Sequence, residues 1–152
     1  EGAVLLLEKL SPALEQVDSS SGAIGTAVNN AIESLVPVIG DAPADDKIRA
    51  RWLNRLWKAI ENDDIPYIEV LSEHWGVLCH SPQLAASWAD DLMTPLRVTW
   101  SQEYAAGSYF KGSPACLSAL FTAGRYDEIL ELLHLAPFSH WSERKWGVKA
   151  LA

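Results

Sequence analysis

The chain has 152 residues, of which 49% are hydrophobic and 21% charged, the composition of a folded globular protein and not of a disordered one. Its net charge of −8 disfavours a phosphate backbone as main partner, because nonspecific nucleic-acid binding is driven by clustered cations. No apolar run approaches the roughly 18 residues of a membrane span, and two cysteines, Cys79 and Cys116, do not make a secreted disulfide framework; a reducing, cytoplasmic compartment is expected.

Helical periodicity dominates the chain, and no run of period-two alternation stands against it. "AVLLLEKL" reads as a first helix. "SPALEQV" reads as the start of a second, with Ser11 as N-cap and Pro12 at the first helical position. "DSSSG" at 18–22 reads as a loop. In "AIGTAVNNAIESLV" the spacing of Ala23, Ala27, Ala31 and Leu35 predicts a single packing face where small residues let helices approach closely. "PVIGDAPADD" is the expected boundary between an N-terminal part, 1–40, and a core, 45–152, within one helical domain spanning 1–152.

"DKIRARWLNRLWKAIEN" has the strongest amphipathic pattern. Ile48, Trp52, Leu56, Ala59 and Ile60 share a face that Leu53 and Trp57 extend, and Lys47, Arg51, Arg55 and Lys58 form a basic stripe on the other side. "PYIEVLSEHWGVLC" is expected to be its partner helix. "SPQLAASWADDLM" predicts a helix with Leu84, Trp88 and Leu92 as its seam, broken or kinked after Pro95. "LRVTWSQEY" reads as a short continuation, and "AAGSYFKG" as a loop. In "SPACLSALFTA" the residues Cys116, Ala119, Leu120 and Ala123 share a face, and Gly124 supplies a left-handed helix end. "YDEILELLHL" follows, with Tyr126, Ile129, Leu130 and Leu133 inward and Pro137 as its stop. "HWSERKWGVKALA" reads as one more helix; its abrupt end, and a start at Glu1, suggest a piece of a longer protein.

"ALFTAGRYDEILELLHLAP" resembles the turn and second helix of a tetratricopeptide repeat. Gly124, Tyr126, Asp127-Glu128, Ala136 and Pro137 match its turn glycine, inner aromatic, acidic pair, small residue and terminal proline, while Ile129 departs from the usual small Ala. The first-helix Trp and Gly of that family are missing, and "RLWKAIENDDIPYIEVL" is a weaker echo with a longer turn. The combination of "WLNRLWKA", "WGVLCHSPQLAASWADDL" and "GRYDEILELL" is also similar to bacterial helical-repeat proteins of unknown function. The resemblance implies an all-α stack of antiparallel helical hairpins, tetratricopeptide-like or α-solenoid-like, that binds a protein or peptide on one face.

The candidate binding residues are the stripe Lys47, Arg51, Arg55 and Lys58, suited to an acidic segment, and Trp141 and Trp146, which lie among Arg144, Lys145 and Lys149. The stripe's plainer alternative is a solvated face paired with Glu61, Asp63 and Asp64. Core packing is the expectation for most of the seven tryptophans. His74, Cys79 and His80 have the spacing H-x4-C-H, which is not a usual zinc pattern, so neither a metal nor a cofactor is expected. A Cys-His nucleophilic pair has no oxyanion loop beside it. Asp45-Asp46, Asp63-Asp64 and Asp90-Asp91 are adjacent pairs, which on a helix diverge by about 100° and do not converge on one substrate. The chain is therefore expected to be a non-enzymatic interaction module, with a structural segment of a larger protein as the alternative and a hydrolase as the least favoured reading.

Overall fold

The computed structural model describes residues 1–17, 22–101, 109–137 and 140–152. Among them the protein is all-helical: α1 (Gly2–Leu14), α2 (Ala23–Gly40), α3 (Asp46–Glu61), a 3-10 turn (Glu69–His74), α4 (Trp75–Cys79), α5 (Pro82–Thr99), α6 (Ser113–Thr122), α7 (Tyr126–Leu135) and α8 (Trp141–Leu151). The chain divides into two compact units, Glu1–Leu71 and Ser72–Ala152. The "PVIGDAPADD" segment lies inside the first unit. There Arg49, almost fully buried on α3, reaches back to donate to the carbonyls of Ile39 (2.9 Å) and Ala42 (2.7 Å). The Ile39 carbonyl belongs to the last turn of α2 and the Ala42 carbonyl to the link after it, so the guanidinium ties the break shut.

In the first unit α1 packs against both α2 and α3. Val4 and Leu7 of α1, Val28, Ile32, Val36 and Ile39 of α2, and Leu53, Leu56 and Ile60 of α3 form its core. The alanine face expected on α2 is exposed: Ala23, Ala27 and Ala31 face out and Leu35 is half-buried. The adjacent i, i+4 row of Val28, Ile32 and Val36 turns inward, because branched side chains remove more apolar area from water than alanine does. Ser11 is not an N-cap either. Helix α1 runs through Pro12, which is exposed, so water can serve the carbonyl that loses its partner, and the buried Ser11 hydroxyl turns to Asp63. The "DSSSG" loop lies outside the described residues except for Gly22, whose φ of 69° opens α2.

The second unit is arranged around α6, which packs against α4, α5, α7 and α8. Ala115, Cys116, Leu117, Ala119 and Leu120 are all fully buried, so this short helix is buried on every side, as a helix surrounded by others must be. Ser113 lies within α6 and not ahead of it, its hydroxyl donating to the carbonyl of Phe110 (2.8 Å); Ser81, by contrast, does cap α5, accepting from the Leu84 amide (3.2 Å). The fully buried row of α5 is Ala85, Ala89, Leu92 and Leu96, with Leu84 and Trp88 only half-buried beside it. Pro95 does not end α5. It stands on the exposed side, where the carbonyl it leaves unpaired remains in reach of water. "LRVTWSQEY" carries α5 on to Thr99, and its last three residues, with the first four of "AAGSYFKG", lie outside the described residues.

The α6–α7 turn closes as a Schellman motif. Gly124 has φ 75°, its amide donates to Phe121, and the Arg125 amide donates to Leu120. On α7 the fully buried pair is Ile129 and Leu132; Tyr126, expected inside, is 43% exposed and rests against Phe121, ring centroids 5.3 Å apart. Ala136 adopts the extended conformation that a following proline imposes, and the helix stops there.

"PYIEVLSEHWGVLC" is not one helix but the 3-10 turn followed by α4. Gly76 explains where α4 sits. Its amide donates to Ser118 Oγ (2.9 Å), and a Cβ built there would lie 2.4 Å from the Ser118 carbonyl oxygen and 2.1 Å from Thr122 Oγ1. The α4 backbone thus lies directly against α6, in a space no side chain fits. Gly76→Ala is expected to lower stability by about 1–3 kcal/mol through overpacking. Gly25→Ala, around which nothing lies within 4 Å, should raise stability by about 0.5–1 kcal/mol. Chemical denaturation of both variants measures the contrast.

Candidate binding cleft on helix α3

The site begins with how α3 is held. Asp45 caps it, its carboxylate accepting from the Ile48 amide (2.8 Å), and Lys58 in the last turn complements the helix dipole. Trp52, Leu53, Leu56 and Ile60 bury one face, so the positions at 47, 51, 55 and 58 must run along the other. Lys47, Arg51 and Lys58 are exposed and, among the described residues, make no salt bridge.

Arg55 lies at the edge of the stripe next to α1 and is treated differently. Its guanidinium donates to Glu8 Oε2 at 2.6 Å and to Glu1 Oε1 at 3.3 Å. Glu8 is 32% exposed and Glu1 76%, so the first contact is the sheltered one and the second is rim-like. The hydrogen bond from Arg55 holds the Glu8 carboxyl below the ordinary carboxylate range, and the bond to Glu8 raises Arg55 further. Beside this pair a cleft of about 200 Å³ opens between α1 and α3, lined by Glu8, Ser11, Pro12, Arg55, Lys58 and Asn62.

The wall of the cleft is fixed by Asp63, 1% exposed. One of its oxygens accepts from the Ser11 hydroxyl (2.5 Å), the other from the Ile68 amide (2.8 Å). Asp63, one of the acids named beside the stripe, thus engages α1 and the chain beyond α3. Glu61 accepts from the Trp57 indole (3.1 Å), and Asp64 is exposed. The acids that do meet the stripe, Glu1 and Glu8, come from a distant part of the sequence and were not anticipated.

Trp141 and Trp146 belong to the second unit, so the cleft is formed without them. Trp141 is 69% exposed at the start of α8, whereas Trp146 is buried, its ring 5.7 Å from Phe121 and 4.5 Å beneath the Lys149 ammonium. Gly147 lets α8 close on α7, since a Cβ there would lie 2.6 Å from Leu133 Cδ1.

Among the described residues no group of three or more His, Cys, Asp or Glu is placed to hold a metal ion. Cys79 is buried while its neighbour His80 is exposed, at the centre of a tight turn with φ 63°, so the two do not converge. Burial pushes the Cys116 thiol up to about 12, which keeps it protonated near neutrality and leaves it a small apolar side chain. No helix among the described residues is long and apolar enough to cross a membrane. Comparison with protein-family models, with curated proteins and with solved structures finds no match.

The Glu8–Arg55 pair makes a pH prediction. A carboxyl whose folded pKa is lowered stabilises the fold above its unfolded value, about 4.3 for glutamate, and loses that contribution as pH falls through the folded value. The stability difference between wild type and Glu8→Gln should be constant from neutral pH to about 5 and shrink below that. Denaturation midpoints that fall in parallel for both proteins would contradict it.

Proposed function

We propose that the protein is a non-catalytic helical interaction module, and that α3 of its first unit receives an acidic segment of a partner protein. The observation that carries this reading is Arg55 holding two carboxylates of its own chain while Lys47, Arg51 and Lys58 stand exposed along the same stripe. Glu1 and Glu8 flank two turns of α1, so the geometry supports a ligand that presents carboxylates along one helix face. The net charge of −8 opposes such a partner at long range. At physiological salt that repulsion is screened beyond about 8 Å, which leaves the local cations to decide the contact.

The finer fold belongs to the same proposal. The glycine-closed α6–α7 hairpin, with α8 packed on both of its helices, supports a tetratricopeptide-like stacking unit. The two buried cysteines, neither of them in a disulfide among the described residues, support residence in a reducing compartment. A structural role within a larger assembly is the alternative. It is favoured by Trp141, Val148 and Leu151, exposed at 69%, 56% and 74% along one side of α8.

The test is titration of the protein with a labelled helical peptide carrying glutamates at i, i+3, i+4 and i+7, beside its lysine counterpart. The glutamate peptide should bind, the lysine peptide should not, and Lys47→Glu/Arg51→Glu should weaken binding about tenfold or more, equivalent to about 1.4 kcal/mol. Equal binding by wild type and the charge-reversed variant would overturn the reading.

A further inference from the structure

Resting on that reading, we infer that α1 is a built-in competitor: Glu8 and Glu1 occupy the guanidinium that an incoming ligand carboxylate must take, so the first helix sets the affinity of the α3 stripe. The two contacts are unequal in a way that orders the exchange. Glu1 is 76% exposed and 3.3 Å from Arg55 Nη1, a rim contact that a carboxylate arriving from solvent displaces at little cost. Glu8 is 32% exposed and 2.6 Å from Nη2, a short charge-assisted bond that resists displacement.

The cleft supplies the route. Its volume of about 200 Å³ adjoins Arg55, with Lys58 and Asn62 on its α3 side, so a carboxylate can enter beside Glu8 while α1 stays in place. Helix α1 has a separate anchor in the Ser11–Asp63 bond and in buried Val4 and Leu7, so releasing Glu8 from Arg55 does not undock it. Lys47 and Arg51 lie further along the stripe and make no salt bridge among the described residues, which makes them the first cations a ligand meets and Arg55 the last.

The experiment measures binding of the glutamate peptide to the full chain at low and at physiological salt, for wild type, Glu1→Gln, Glu8→Gln, Arg55→Gln and Glu8→Gln/Arg55→Gln. Glu8→Gln is expected to tighten binding about two- to fivefold, the span of a partly exposed ion pair, and Glu1→Gln by less. The gain from Glu8→Gln should vanish in the Arg55→Gln background. Glu8→Gln without tightening, or tightening that persists without Arg55, overturns the competitor role. Glu1→Gln removes only an exposed side chain, so it tests the exchange even if Glu8→Gln destabilises the fold. Loss of binding in Lys47→Glu/Arg51→Glu together with unchanged affinity in Glu8→Gln sinks this inference alone. Unchanged binding in the charge-reversed variant sinks the reading beneath it.

Discussion

A carboxylate removed from water costs several kcal/mol unless its lone pairs are met, and Asp63 meets them from two directions at once. One oxygen takes the Ser11 hydroxyl of α1, and the other takes the Ile68 amide beyond the end of α3. Because each bond is short and the site is closed to solvent, the distance between α1 and the last turn of α3 is set by the length of an aspartate. The cleft, the Glu8–Arg55 pair and the presentation of the stripe all depend on that spacing. Arg49 does the corresponding work at the other end of α3, where it binds the carbonyls of Ile39 and Ala42 at and just beyond the end of α2. Between them, a buried anion and a buried cation fix the two ends of the helix that carries the proposed site.

The second unit solves a different problem by different means. A ten-residue helix, α6, is buried on all sides, and its neighbours are kept in place by small residues and rim ion pairs. Arg125 joins Asp90 of α5 to Glu128 of α7, at 2.6 and 2.5 Å, and Arg97 reaches Glu131 at 3.5 Å. Trp75 and Trp88 pack edge to face with ring centroids 5.1 Å apart, filling volume that short helices leave between them.

What was legible in the sequence is what depends on near neighbours. The buried face of α3 follows from its apolar period, and the Gly124 turn follows from a motif closed within six residues, Leu120 to Arg125. Proline misled three times, at Pro12, Pro37 and Pro95, because its helix-breaking cost falls when the orphaned carbonyl faces water, and exposure is not written in the local pattern. The alanine row of α2 misled because two i, i+4 rows run side by side, and only the tertiary partner chooses between them. The site was half legible. The stripe is local, but Glu8 meets Arg55 across 47 residues of chain and Ser11 meets Asp63 across 52, separations that no periodicity encodes. Arg49 was overlooked because a lone basic residue in an apolar row looks like an exception until the carbonyls it serves are in view.

The contact of Gly76 with α6 has a kinetic side. Helix α4 is five residues long, far short of the dozen or so that a solitary helix needs to persist in water. Its amide meets a hydroxyl 42 residues ahead, so the loop between them must close before the bond can form. During synthesis α4 leaves the ribosome before α5 and α6, the two helices it packs against. It is thus a late-forming piece of structure that waits on the chain translated after it.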